Sequence, residues 1–373
     1  MQKVIILGGG MVGSAIAADL SSDYKVTVAD IDEPKLQKIK LYHSLDILQS
    51  DISSDINIKT IIKDFDLVIG AVPGHMGFST LKSVIEAKKN IVDISFFGED
   101  PFELGSLAKE NGVTAIVDCG IAPGFSNIIL GYQTIKMKIN SFECYVGGLP
   151  FKRMLPFQYK APFSPKDVIE EYVRPSRIVR DGNVIIKPAL SDPELIEFEN
   201  IGTLEAFNTD GLRSLIKTMS IPNMIEKTLR YPGHIDLMRT LRDTGFFDKE
   251  EMEFDGANIR PVDFTSKLLF PHWKLEENEK EFTILRLTIE GDGKTITYDL
   301  FDKFDEETKT TSMARTTGYT CSAVARLVLE GRYSQKGISP PEFIGMQSQG
   351  YEFVTDYLSK RKISFSIREQ EIK

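Results

Sequence analysis

The chain has 373 residues, 42% of them hydrophobic, and a formal net charge of −9. That length is enough for two domains with a sizeable core, and an acidic balance without any Lys/Arg-rich tract argues against nucleic acid or an anionic membrane as the main partner. No stretch approaches the roughly 18 apolar residues a membrane helix needs. The widely spaced Cys119, Cys144 and Cys321 form neither a metal-ligand pattern nor an even disulfide set, so no metal is expected and the expected compartment is the reducing cytoplasm.

The apolar run Val4-Ile5-Ile6-Leu7 is the kind a buried parallel strand needs, and no signal peptide is expected ahead of it. Gly8-Gly9-Gly10-Met11-Val12-Gly13 follows at once, then a helix-forming run through Leu20, then Lys25-Val26-Thr27-Val28-Ala29 ending at Asp30. Strand, glycine turn, helix, strand and acid are the dinucleotide-binding order. Gly8 turns the chain off the strand, Gly10 lets backbone approach a pyrophosphate, and Gly13 lets the helix pack on the sheet. Met11 and Val12 open the helix, whose free N–H groups and dipole favour the phosphate charge. The competing reading is a flavodoxin-like turn without a nucleotide. Asp30 at the strand end suits the ribose hydroxyls of NAD and disfavours a 2′-phosphate; Lys35, the closest base, lies in the next helix. Asp32, before Glu33-Pro34, reads as that helix's N-cap.

The alternation continues with strands at Asp66–Val72, Asn90–Ser95 and Val113–Val117 and helices around Thr80–Lys88 and Pro101–Asn111. This predicts an α/β, doubly wound parallel sheet of the Rossmann type over residues 1–128, with Pro73-Gly74 and Asp118-Cys119-Gly120 at the same carboxyl-end mouth as the glycine turn. Residues 129–312 predict a second, α+β domain with a mixed or antiparallel sheet. There Phe282–Ile289 and Thr295–Leu300 alternate like half-buried strands about Glu290-Gly291-Asp292-Gly293. Their edges must be paired or covered, which predicts at least a homodimer. Residues 313–373, with a helix over Thr317–Glu330, are expected to fold back on the first domain.

At Gly8–Gly13, Asp118–Gly124, Tyr145–Pro150, Thr209–Leu215, Glu226–His234 and Gly337…Pro341-Glu342 the chain resembles the saccharopine dehydrogenase-like family along essentially its whole length. Gly147-Gly148-Leu149-Pro150 and Thr209-Asp210-Gly211-Leu212-Arg213-Ser214-Leu215 are most similar to its lysine 6-dehydrogenase branch. Phe163-Ser164-Pro165 and Thr228-Leu229-Arg230-Tyr231 are shared with saccharopine reductases. The resemblance implies NAD-dependent oxidative deamination of the lysine side chain. A hydride leaves Cε, water adds to the imine, ammonia departs, and the semialdehyde cyclises to 1-piperideine-6-carboxylate. Such chemistry needs a clamp for the substrate carboxylate, a carboxylate for the α-ammonium, and removal of a proton from an ε-ammonium of pKa about 10.4.

Arg213 and Arg230, each in a family motif and flanked by apolar residues, are the candidate carboxylate clamps; the alternative for each is a salt bridge. Asp210 reads as an N-cap of a helical run Leu212–Thr218 or as a substrate ligand. Glu205 is a substrate-binding candidate or the polar side of a strand. His234 is the candidate proton acceptor, or caps a helix and bonds backbone. Asp118 orients the amine or bonds its own turn, and Cys119 faces the cofactor or is a small buried hydrophobe. His75 stands at the cofactor mouth without a motif, and Lys227 is expected on a solvated face. Cofactor and substrate are expected to meet in a cleft between the domains. The alternative functions are a saccharopine-type or carboxynorspermidine-type C–N oxidoreductase acting on a small amino-acid substrate, and an NAD-binding regulatory protein.

Overall fold

The computed structural model describes residues 1–199 and 201–372, and the chain divides into two compact units, Met1–Met137 with Ala314–Ser364 and Lys138–Met313 with Phe365–Lys373. The first unit begins with β1 (Lys3–Leu7), β2 (Lys25–Asp30), β3 (Asp46–Gln49), β4 (Leu67–Gly70), β5 (Ile91–Asp93) and β6 (Thr114–Ile116). Val4 to Leu7 and Leu67 to Gly70 are buried on both faces, as continuous apolar strands between helix layers must be.

The second unit contains β7 (Ile139–Pro150), β8 (Ser176–Arg180), β9 (Asn183–Lys187), β10 (Glu194–Phe198), β11 (Gly202–Asn208), β12 (Asn223–Arg230), β13 (Met252–Phe254), β14 (Ala257–Ile259), β15 (Glu281–Gly291) and β16 (Lys294–Lys303). After the helix Ser312–Leu329 come β17 (Gly337–Ser339) and β18 (Phe365–Glu371).

The first unit's sheet is wholly parallel in the order β17-β6-β5-β4-β1-β2-β3, the doubly wound arrangement that the alternation predicted, with two more strands, β3 beyond β2 and β17 beyond β6. Gly8 has φ 111° and a Cβ there would stand 2.3 Å from the Ala71 carbonyl oxygen, so both conformation and space require glycine. A Cβ on Gly13 would lie 2.1 Å from the Gly8 carbonyl oxygen, which is how close the helix Met11–Leu20 packs on the turn. Gly10, in contrast, opens on empty space and is exposed.

The second unit holds a mixed sheet in the order β10-β11-β12-β7-β15-β16-β18, with β8 and β9 attached beside β12. Only β12 and β7 run parallel within that order; the other pairs are antiparallel. The hairpin read from the sequence forms between β15 and β16, and Asp292 (φ 47°) and Gly293 (φ 76°) supply the two left-handed residues of a tight turn matched to strand twist. Its outer edges are not open: β7 pairs with β15 and β18 with β16. The expectation of a dimer therefore loses the edges on which it rested, and Phe365–Glu371 joins this sheet rather than packing on the first unit's helices. The helix Pro165–Val173 starts with proline in its first turn and buries Val168, Ile169 and Tyr172. These pack with Phe207, Ile235, Met238 and Trp273 into one aromatic core.

Gly13→Ala is expected to destabilise the first unit by about 1–3 kcal/mol, because the added methyl must push the helix off the turn. Thermal unfolding checks this, and an unchanged melting temperature would show that the turn relaxes freely.

Candidate functional site

In the first unit the glycine turn, the start of the helix Met11–Leu20 and the end of β2 form a cradle. The Asp30 carboxylate accepts the Gly9 N–H at 2.8 Å and the Asp32 N–H at 3.0 Å, which fixes it at the strand end. Asp32 caps the next helix, accepting the Lys35 N–H at 3.0 Å. Lys35 is not remote from Asp30, as its sequence position suggested: its Nζ stands 3.5 Å from Asp30 Oδ2, because the cap turns the first helical turn back over the strand end. The open space at Gly10, the exposed Met11 and the half-exposed Val12 leave the backbone of this turn approachable, so these residues fit a dinucleotide.

Pro73 caps the helix Gly74–Glu86 just beyond β4, and Asp118 and Cys119 lie just beyond β6, at the carboxyl end of the same sheet. Asp118 is buried in a left-handed conformation (φ 54°). Cys119 is fully buried, its N–H bonded to the Asp93 carbonyl, and its thiol lies against that of Cys321, whose pKa burial pushes up. His75 is exposed. Asp93 was missed in the sequence. It closes β5, packs its carboxyl where Gly70 leaves room, and accepts the Ser95 N–H at 2.6 Å.

In the second unit one face of β12 is a buried polar stripe, Glu226, Thr228 and Arg230, at the period of two that puts alternate strand residues on one side. Arg230, 2% exposed, is not a substrate clamp in this geometry. Its Nη2 bonds Glu171 at 2.5 Å, Nη1 donates to the Leu229 carbonyl at 3.0 Å, Nε donates to the Tyr172 hydroxyl at 3.3 Å, and the guanidinium lies 4.3 Å over the Tyr159 ring. Such a charge, taken from water, must be matched in place.

His234 is buried beside it. Its Nδ1 is 2.8 Å from the Phe157 carbonyl, which can only accept, so Nδ1 carries the proton. Nε2 then accepts from the Tyr172 hydroxyl at 2.9 Å. Burial first, and then the Arg230 charge, lower its pKa to about 3. Both nitrogens are engaged within the core, the arrangement of a structural histidine rather than a proton acceptor for substrate. Glu205 pairs with Arg230 in the β11–β12 register and accepts the Gly233 N–H at 3.1 Å, at the start of the helix His234–Asp243.

Asp210 is not an N-cap. The helix there is only Leu215–Thr218, with Ser214 at its cap position, and Asp210 instead takes Arg177 through two bonds of 2.8 Å. Arg213 is 6% exposed with a left-handed backbone (φ 49°). Arg174, just past the helix Pro165–Val173, lies within the field of Arg213. Burial first, and then the like charge of Arg213, lower the Arg174 pKa, while Glu170, Asp210 and Asp167 oppose that. Arg174 Nη2 stands 3.7 Å from Glu170. Arginines 174, 177 and 213 thus share one cluster with three acids. Lys227 is not on a solvated face: it is buried, bonding Glu194 at 2.6 Å and the Asp192 carbonyl at 2.8 Å.

Glu226 was also missed, since an acid two residues before Thr228 in a strand reads as exposed. Burial pushes its carboxyl up to about 8. Its Oε2 accepts from Thr209 Oγ1 at 2.6 Å and from the Gly211 N–H at 3.0 Å.

The chain thus carries a dinucleotide-type cradle on the parallel sheet of one unit and a buried cluster of both charge signs in the mixed-sheet unit. The saccharopine dehydrogenase NADP binding domain matches residues 4–116, and the saccharopine dehydrogenase C-terminal domain matches residues 120–363. The chain belongs to the saccharopine dehydrogenase family. It is 28% identical over 288 residues to saccharopine dehydrogenase [NADP(+), L-glutamate-forming] of Pyricularia oryzae, covering 72% of this chain and 63% of that one. The chain thus spans less than two thirds of that relative's length. It is 24% identical over 380 residues to carboxyaminopropylagmatine dehydrogenase of Synechocystis, covering 91% and 92% of the two chains. The solved apo structure of histidine-tagged, L-Glu-forming saccharopine dehydrogenase from Saccharomyces cerevisiae shares the fold with a TM-score of 0.79 at 20% identity, covering 99% of this chain and 100% of that one.

A histidine held neutral stabilises the fold fully above its unfolded pKa of about 6.5, and that contribution is lost as pH falls toward its folded value of about 3. His234→Gln is expected to flatten the loss of stability with falling pH in that window. It is also expected to lower stability at neutral pH by about 0.5–1.5 kcal/mol for each bond lost, with the shape of the activity–pH profile unchanged. Loss of a limb of that profile would instead restore His234 as the catalytic base.

Proposed function

We propose that this chain is a nicotinamide-dependent dehydrogenase acting on the C–N bond of an amino acid, and that its substrate is L-lysine oxidised at the ε-amine. The observation that carries this reading is the cluster of Arg174, Arg177 and Arg213 with Asp167, Glu170 and Asp210. An α-amino-acid head group carries a carboxylate and an ammonium together, and a site of both signs answers both. Arg213, with Arg174, reads the carboxylate. The acids of the cluster balance the ammonium.

The cofactor, when bound, accepts the hydride from Cε. The Gly8–Gly13 turn and the N–H groups of the helix Met11–Leu20 would hold its pyrophosphate and Asp30 its ribose, with Pro73 and Gly74 at the carboxyl-end mouth of the sheet and Cys119 buried behind it. Asp118, just beyond β6 in the first unit, is the candidate acceptor for an ammonium proton, a role that His234 leaves vacant. NAD is the preferred cofactor because Asp30 is fixed by two backbone N–H groups. Lys35 beside it tempers the repulsion of a 2′-phosphate without removing it.

A second reading is favoured by one observation, the near full-length match to carboxyaminopropylagmatine dehydrogenase. A carboxylate-bearing secondary amine would use the same arginines.

NADH and NADPH formation with L-lysine, L-saccharopine, carboxyaminopropylagmatine and carboxynorspermidine separates these readings; L-lysine with NAD is expected to be fastest. Arg213→Lys is expected to reduce kcat/KM by about tenfold to a few hundredfold, with cofactor affinity unchanged, as loss of a charged two-point hydrogen bond implies. Asp30→Ser is expected to narrow the preference for NAD. Oxidation of saccharopine but not lysine, or a wild-type preference for NADP of about tenfold or more, would overturn the substrate or the ribose assignment respectively.

A further inference from the structure

We propose that Glu226 is a positioning residue that sets the substrate-carboxylate arginine Arg213, by pinning the turn Thr209–Arg213 onto the face of β12. This rests on the reading of Arg213 given above. The turn carries Arg213 in a left-handed backbone (φ 49°), a conformation that a residue with a Cβ holds only when its surroundings dictate it.

The dictating contacts converge on one carboxyl. Oε2 of Glu226 accepts the Thr209 hydroxyl at 2.6 Å and the Gly211 N–H at 3.0 Å, two positions before Arg213. The Thr209 N–H donates to the Glu226 carbonyl at 3.3 Å, and the Thr209 hydroxyl also lies 2.9 Å from that of Thr228 on the same strand face. The packing is as tight as the bonding: a Cβ on Gly211 would sit 2.3 Å from Oε2 of Glu226. The acid occupies the place a Cβ at 211 would take, so turn and carboxyl are fitted to each other. The opposite flank of the turn is held by Asp210 through Arg177. Glu226 therefore acts by acceptor geometry, not by touching substrate. An amide oxygen in the same place serves equally, and an apolar or missing side chain frees the turn.

The full-length protein is assayed with L-lysine as Glu226→Ala, Glu226→Gln, Thr209→Val and Arg213→Lys. The expected result is a KM for L-lysine raised about tenfold or more in Glu226→Ala, with kcat within about threefold and cofactor KM unchanged. Glu226→Gln is expected to return KM to within about threefold of the unaltered protein, and Thr209→Val to raise it in the same direction. Fluorescence of Trp273, the chain's single tryptophan, titrated with L-lysine without cofactor, reads the same change in affinity apart from turnover.

Glu226→Gln as impaired as Glu226→Ala would show a charge role and overturn the proposal, as would an unchanged KM in Glu226→Ala. Should Glu226→Ala not fold, an unchanged KM in Thr209→Val overturns it. Arg213→Lys separates the two failures. If it raises KM while the Glu226 and Thr209 variants do not, only this inference falls; if it leaves KM unchanged, the reading of the site falls first.

Discussion

A guanidinium with 2% exposure sets the organisation of the second unit. Arg230 cannot be left in the core without partners, since an isolated buried charge costs several kcal/mol even after relaxation. Its partners come from far along the chain: Glu171 and Tyr172 from the helix Pro165–Val173, Tyr159 from the segment before it, and the Tyr172 hydroxyl that also serves His234. Matching that charge fixes the helix over β12, and with it the place of Arg174 just past the helix end. The aromatic rings of Tyr159, Tyr172, Phe157 and Trp273 around His234 exclude water from the network, which strengthens each bond in it. The residue that the motif made a candidate for substrate is thereby the one that organises this core.

The first unit rests on a different constraint, backbone proximity. Gly8 against the Ala71 carbonyl and Gly13 against the Gly8 carbonyl bring strand, turn and helix so close that the N–H groups of the turn end at one place. The protein is acidic as a whole, yet this local field is positive, because it comes from peptide dipoles rather than side chains. Asp30 sits at its rim and takes two backbone N–H groups for itself. Its charge is therefore fixed in direction as well as place.

What the sequence disclosed follows from how local each cause is. The glycine turn, the strands β1, β2, β4, β5 and β6 and the Asp292-Gly293 hairpin are specified within a few residues, and each appears where the pattern put it, whereas β3, with no fully buried residue, carried no such run. The roles of Asp210, Arg230 and Glu226 are set by partners 33, 59 and 17 positions away, and no spacing rule reaches that far. Asp210 misled because aspartate before a helical run is a good capping signal; Arg177, arriving from β8, outbids the four-residue helix for its carboxylate. Lys227 misled because a lysine in an alternating strand reads as solvated, whereas Asp192 and Glu194 cover it. The hairpin edges that suggested a dimer are covered by β7 on one side, more than a hundred residues before β15, and by β18 on the other, more than sixty residues beyond β16.

The acids packed around β12 are each accommodated in a different way. Glu171 is matched to Arg230 at 2.5 Å, and Asp210 to Arg177 at 2.8 Å. Glu226, fully enclosed and near both of those acids, has its carboxyl pushed up to about 8 by burial, which disfavours a third negative charge beside them. A neutral acid still keeps its acceptor oxygen for Thr209 and Gly211. Burial thus strengthens the hydrogen bonds that hold the turn and limits the negative charge gathered beside Glu171 and Asp210.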